Sequence, residues 1–151
     1  MGASGWHYRA PYVGSVKATH RYVQAQLLST GDYVWPWEDF DPDVVSETIP
    51  RPTTLAELNA AKDSDLFWDC GTHSILDTHE ISEDDGMGVI RPLSPAELTD
   101  VFGTHHPSPS DFDRVSRSLT DRLGGRWTGR SLVLYLDGTP TEVYFWGFSG
   151  D

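Results

Sequence analysis

The sequence predicts a single α+β domain, in which an antiparallel sheet with a C-terminal hairpin is packed by about four helices. Three observations carry this. Residues 131–136 (SLVLYL) and 141–148 (TEVYFWGF) are β-rich and flank the turn sequence DGTP. Two helix-start signatures, Ser94-Pro95-Ala96-Glu97 and Ser108-Pro109-Ser110-Asp111, each place a capping side chain, a first-turn proline and an acid in order. Finally, 151 residues with 38% hydrophobic content suffice for one core, and no composition break divides residues 1–151.

The elements follow in order. Residues Trp6 to Tyr12 mix aromatic and polar side chains and suit an edge strand, because Pro11 cannot donate to a central ladder. Ser15 reads as a helix cap, Val16, His20, Val23 and Leu27 share one helical face, and Gly31 is a stop. The segment 32–52 is acidic, aromatic and proline-rich. Its prolines at 36, 42, 50 and 52 exclude a long helix, so it reads as an ordered loop. Thr54 with Glu57 makes a capping box for a short helix carrying Leu55 and Leu58. The alternation of His73, Ile75 and Asp77 with Ser74, Leu76 and Thr78 suits a strand. Asp84-Asp85-Gly86 then turns the chain into a returning strand at 88–93. Leu98, Val101 and Phe102 face inward on the next helix, and Phe112, Val115, Leu119 and Leu123 on the one after it. VYFWGF is apolar on both faces, which marks a buried strand.

Charge narrows the function. Eleven Lys and Arg face 23 Asp and Glu, a formal charge of −12. Such a surface repels phosphate backbones and anionic membranes, and it fits a basic protein partner, a cationic ligand or plain solubility better. Of the 11 cations only Lys17 and Lys62 are lysines. Cys70 is the single cysteine, so no internal disulfide forms. No apolar run approaches the ~20 residues of a membrane span, and the start lacks the charged and apolar regions of a secretory signal. The expected location is the cytoplasm.

Candidate chemistry concentrates between Asp69 and Glu80. Cys70, His73, Asp77 and His79 are all competent zinc ligands. On a strand, His73, Asp77 and His79 fall on one face, an arrangement that suits an open divalent-metal site. No motif requires a cofactor, and a divalent metal is the one these residues could hold. Cys70 beside His73 also suggests a nucleophile and base, although Asp69 raises the thiol pKa. His105 and His106, before Pro107, could assist as proton carriers. The second candidate is the loop carrying Trp35, Trp37, Glu38, Asp39, Phe40, Asp41 and Asp43. Aromatic anchors with interleaved carboxylates recur where a surface binds something basic and partly apolar. The competing reading has the same rings capping the core.

The GASGW start, the GTHSILD segment and the DGTP hairpin resemble small uncharacterised actinobacterial proteins. The resemblance implies a bacterial, cytoplasmic origin and transfers no functional residue. Three functions compete. First is an acidic protein-binding module, such as an immunity or antitoxin-like inhibitor of a basic partner. Second is a small hydrolase-like enzyme, metal-assisted or not, centred on Cys70 to His79. Third is a non-catalytic small-molecule binder with an apolar pocket between sheet and aromatic loop.

Overall fold

The computed structural model describes residues 3–41, 43–122 and 124–150, with the side chains at 39, 120 and 121 outside that description. Strand β1 (Gly5–Pro11) leads into helix α1 (Val16–Thr30), the single turn α2 (Pro36–Asp39), α3 (Leu55–Ala61) and α4 (Asp65–Cys70). Strands β2 (Glu80–Ile81) and β3 (Val89–Pro92) precede α5 (Pro95–Phe102) and α6 (Pro109–Val115). The hairpin β4 (Thr128–Leu136) and β5 (Thr139–Phe148) closes the order.

Local chemistry explains most helix limits. Ser15 Oγ accepts from the Ala18 amide at 3.0 Å, and Gly31, at φ 71°, donates its amide to Leu27 O at 2.8 Å. Both proline-led starts form complete capping boxes, Ser94 with Glu97 and Ser108 with Asp111. At α3 the reciprocal bond slips by one residue: Thr54 Oγ1 accepts from the Glu57 amide, while Glu57 Oε2 accepts from the Thr53 amide. The α-helical part of the last helix is shorter than its periodicity predicts. Residues Ser116–Arg122 tighten into a 3-10 helix, and Leu123 lies outside the described residues.

The sheet has the order β1-β5-β4-β3-β2. The pairs β1–β5 and β4–β5 are antiparallel, whereas β3 runs parallel to β4 and β2 runs parallel to β3. The α+β class therefore stands, with a mixed sheet in place of a wholly antiparallel one. The turn at 84–86 does not make a hairpin. The chain loops back across 82–88 and enters β3 in the same direction, and this short crossover limits β2 to two residues.

The strand expected at 73–78 is absent. Instead Gly71 (φ 72°) ends α4, His73 adopts φ 55°, and Ile75–Asp77 form a 3-10 turn. The cause is a side chain that takes over backbone bonding: Asp77 Oδ1 accepts from the Thr72 amide at 2.6 Å. A carboxylate bonded to its own local backbone removes that backbone from a ladder.

Helices cover both sheet faces, and β5 supplies both cores by its two-residue period. Val143 and Phe145 point toward α1, where Val23, Leu27, Trp35, Leu58, Phe67 and Ile75 join them. Tyr144 and Trp146 point the other way, with Leu93, Phe112, Leu119, Leu132 and Leu134. Near the end of β5 the Trp6 indole lies over Gly147, its pairing partner in β1–β5. A Cβ on Gly147 would sit 2.3 Å from Trp6 Cζ2 and 2.6 Å from Thr128 O. Neither neighbour can yield cheaply, since one is a buried ring and the other is backbone. Gly147→Ala should therefore lower stability by about 2–3 kcal/mol, read as a lower urea midpoint at unchanged m-value. An unchanged midpoint would show that the indole is free to leave its slot.

Candidate functional site

The densest polar assembly surrounds Asp77, which is 0% exposed. Its Oδ1 accepts from the Thr72 amide at 2.6 Å and from Thr72 Oγ1 at 2.8 Å, and its Oδ2 accepts from Ser149 Oγ at 2.6 Å. Proton bookkeeping orders the rest. Thr72 gives its hydroxyl proton to Asp77, so in the 2.7 Å contact with Ser74 it accepts, and Ser74 accepts in turn from the Leu76 amide. Gly71 permits the close approach. A Cβ there would lie 2.7 Å from Ser149 Oγ and 2.8 Å from Asp77 Oδ2. Burial pushes the Asp77 carboxyl up, against the bonds from Ser149 and Thr72 and the charge of Lys62. Thr72, Ser74 and Ser149 are as buried as Asp77, so the cluster is sealed from solvent and acts as a structural hub.

This placement decides the fate of the Cys70–His79 candidates. Asp77 points inward and is held by three protein donors. Cys70 is the half-buried last residue of α4, and His73 lies in left-handed backbone beyond it. His79 points outward, its ring packed over Gly88, where a Cβ would come within 2.3 Å of Nδ1. Without the strand, the one-face alignment of His73, Asp77 and His79 is lost. Among the described residues no group of three or more His, Cys, Asp or Glu could hold a metal ion. His105 and His106 are exposed on the α5–α6 connection, where the His106 ring packs 4.3 Å from that of Tyr135, away from the Asp77 cluster.

A second polar site lies where α1, α3 and residues 78–81 meet, around a cleft of about 140 Å³. Helix α1 contributes Lys17, His20, Arg21 and Gln24; α3 contributes Leu55 and Asn59; His79 and Glu80 form part of the opposite wall. His20 is 3% exposed, and its Nε2 lies 2.8 Å from Thr78 Oγ1. Thr78 Oγ1 donates to Ile75 O at 2.6 Å, so Nε2–H is the donor to Thr78. Burial, reinforced by the charges of Lys62, Arg21 and His79, lowers His20 from 6.5 to about 4. Gln24 Nε2 donates to Thr78 O at 2.9 Å, and so does Lys62 Nζ at 2.9 Å. Burial brings the Lys62 ammonium down to about 8, with the Asp77 charge opposing. His79 is lowered too, first by burial and then by Lys62, with Glu80 opposing.

The aromatic loop divides into a buried part and an exposed part. Trp35 is 1% exposed and Trp37 6%, with ring centroids 5.0 Å apart. Trp35 Nε1 donates to Ile49 O at 2.8 Å, and Tyr33 and Phe67 pack edge-on to its ring. These rings belong to the core, so the surface-anchor role does not fall to them. Arg51 clamps the loop base, forking onto Glu38 at 3.0 and 2.6 Å while bonding the carbonyls of Gly31 and Tyr33. Phe40, Asp41 and Asp43 are exposed, and the Asp39 side chain lies outside the described residues.

Lys17, Arg21, Asn59, Lys62 and Thr78 escape a reading of the sequence. Their one signal there is that Lys17, His20, Arg21 and Gln24 follow helical spacing, with both lysines of the chain ending beside Thr78 and His79. No family model, curated protein or solved structure matches the chain. No helix among the described residues is long and apolar enough to cross a membrane.

Two outcomes follow. Trp35→Ala should cost about 3–5 kcal/mol in a denaturant melt, because it opens a core cavity and orphans the Ile49 carbonyl. A cost below about 1 kcal/mol would place that ring outside the core. The second concerns acid. Between about 4 and 6.5 the unfolded chain protonates His20 while the folded chain resists, so stability rises with pH across this window. Acidification through it should remove about 3 kcal/mol. Asp77, raised above its ordinary value, acts in the opposite sense in the acid range, so the comparison is with His20→Gln. Urea melts of this variant should lose most of the dependence, with the remainder belonging to His79, which is lowered in the same sense, and an equal dependence in both proteins would assign it elsewhere.

Proposed function

We propose that the chain is an acidic protein-binding module whose contact surface is the segment 40–47, directed at a basic partner. The observation that carries this is Val44, which is 75% exposed, more than any other large hydrophobic among the described residues. Phe40 is 38% exposed, and Asp41, Asp43 and Glu47, neighbours of these two in sequence, are exposed as well. Exposed apolar residues interleaved in sequence with carboxylates suit a partner that is cationic and partly apolar. The apolar side chains supply binding energy, and the acids supply steering and orientation.

Rigidity supports the same reading. Trp35, Trp37 and the Arg51 fork fix the base of the loop in the folded protein, which reduces the ordering entropy of association. The overall charge of −12 adds long-range attraction for a basic surface. The functional class that fits is an inhibitor of the immunity or antitoxin kind, which covers a cationic working surface on its target. The encounter belongs in a reducing compartment such as the cytoplasm, which suits the lone thiol of Cys70.

Selection of a displayed random-peptide library against the purified protein tests this. The expected winners combine Lys or Arg with aliphatic or aromatic residues. Their affinity should fall with added salt, and it should drop about tenfold or more in Phe40→Ser/Val44→Ser and in Asp41→Asn/Asp43→Asn/Glu47→Gln. Neutral or acidic winners, no enrichment, or equal binding by both variants would remove the segment from the account.

A further inference from the structure

We infer that the cleft between α1, α3 and residues 78–81 is a binding site for a small oxyanion-bearing ligand, a molecule presenting a phosphoryl or carboxylate group. It uses residues separate from the 40–47 segment, so either reading can fail without the other.

The first argument is the local reversal of charge. In a chain of net charge −12, Lys17 and Arg21 line the cleft and Lys62 Nζ stands behind it on Thr78 O. Helix α3 contributes uncharged Leu55 and Asn59, and Glu80 is the one carboxylate of the lining. Two exposed cations thus line the cleft against one exposed anion, together with the imidazoles of His20 and His79, while Lys62, brought down to about 8, holds the Thr78 carbonyl behind them.

The second argument is what these cations do elsewhere in the fold. Arg9, Arg51, Arg91, Arg114, Arg122 and Arg130 are each engaged by Asp or Glu side chains. No carboxylate lies within ion-pair reach of Lys17 or Arg21 among the described residues, although 23 acids are present in the chain. Folding has matched most arginines to acids and left this pair turned toward a concave surface.

The third argument is the available hydrogen bonding. Lys17 offers three donors and Arg21 a planar fork suited to a two-oxygen acceptor, while Asn59 adds an amide. The floor is already fixed, since His20, Gln24 and Lys62 all bond the Thr78 hydroxyl or carbonyl. A bound anion would meet a preformed wall. At about 140 Å³ the space accepts an oxyanion with a few further atoms and excludes a polymer. The surrounding negative surface works to the same end, repelling polyanions while a small anion, within a Debye length of about 8 Å, senses chiefly the local cations.

His79 provides a reporter within the cleft. Burial and Lys62 lower its pKa, and an anion seated beside it should raise that value again. The experiment is a titration of the isotopically labelled full chain, followed by NMR at low ionic strength. Inorganic phosphate and acetate are added separately, with chloride as the ionic-strength control. The expected result is a saturable shift of amides at 17–24 and 78–81 with phosphate or acetate, an upward move of the His79 titration, and no saturation with chloride. Saturation by phosphate alone assigns phosphoryl ligands; saturation by acetate alone assigns carboxylates. Lys17→Gln/Arg21→Gln, at exposed positions, should keep the thermal midpoint and weaken binding about tenfold or more. Shifts that stay linear and match chloride, or binding undiminished in the double variant, would overturn the site.

Discussion

A carboxylate sealed inside a small domain is costly unless its oxygens are fully occupied, and the arrangement around Asp77 is dictated by that need. Thr72 and Ser149 supply the occupying protons, and Gly71 gives up its side chain so that they can approach. The consequences spread outward. Asp77 turns the backbone of 72–77 away from the sheet, which presents the Ile75 and Thr78 carbonyls to α1. Gln24 bonds both of these, and Lys62 bonds that of Thr78. The angle at which α1 crosses the sheet is therefore set by polar contacts as well as by Val23 and Leu27. Removing one partner would leave a charge or a backbone amide unpaired in the interior, so the members of this cluster stand or fall together.

Much of this architecture is legible in the residues. Ser15 and Gly31, the two proline-led capping boxes, and the hairpin around DGTP each carry a local signal, and each is realised. The segment 73–78 is not, for a physical reason. Alternation of polar and apolar side chains satisfies a strand, but it equally satisfies a turn whose acid caps its own backbone, and only tertiary burial decides. The same holds for Trp35 and Trp37. Acid-flanked indoles suit a surface anchor or a core, and the deciding contact is Trp35 Nε1 with Ile49 O, fourteen residues onward. The cleft was hidden more deeply. Lys17 and Arg21 occupy the solvent side of an amphipathic helix, where charge is the default, and their meeting with Asn59 and His79 exists only in three dimensions.

Electrostatics on this molecule has two scales. Across the whole surface the excess of acids produces a field that favours cationic macromolecules, and it is strongest at low salt. Within the α1–α3 cleft the local balance is basic, because Lys17 and Arg21 line it with Glu80 as the one carboxylate of the lining, and Lys62 bonds the Thr78 carbonyl behind it. The two are compatible because screening and low-dielectric walls limit how far each is felt. A single chain can in this way present an acidic face to a large partner and a basic notch to a small one.

The pairing of β1 with β5 sets an order for assembly. Gly5 lies opposite Phe148, the Ser149 amide donates to Ser4 O at 2.8 Å, and Ser149 Oγ reaches back 72 residues to Asp77. Strand β1 thus has no neighbour until residues 142–148 are available, and the interior acid lacks its Ser149 donor until residue 149 is. During synthesis on a ribosome the sheet cannot close progressively from its first strand. The apolar faces of β1, α1 and the tryptophan loop must wait, together, for the last strand to emerge. Closure is then a late step that joins segments most distant in sequence.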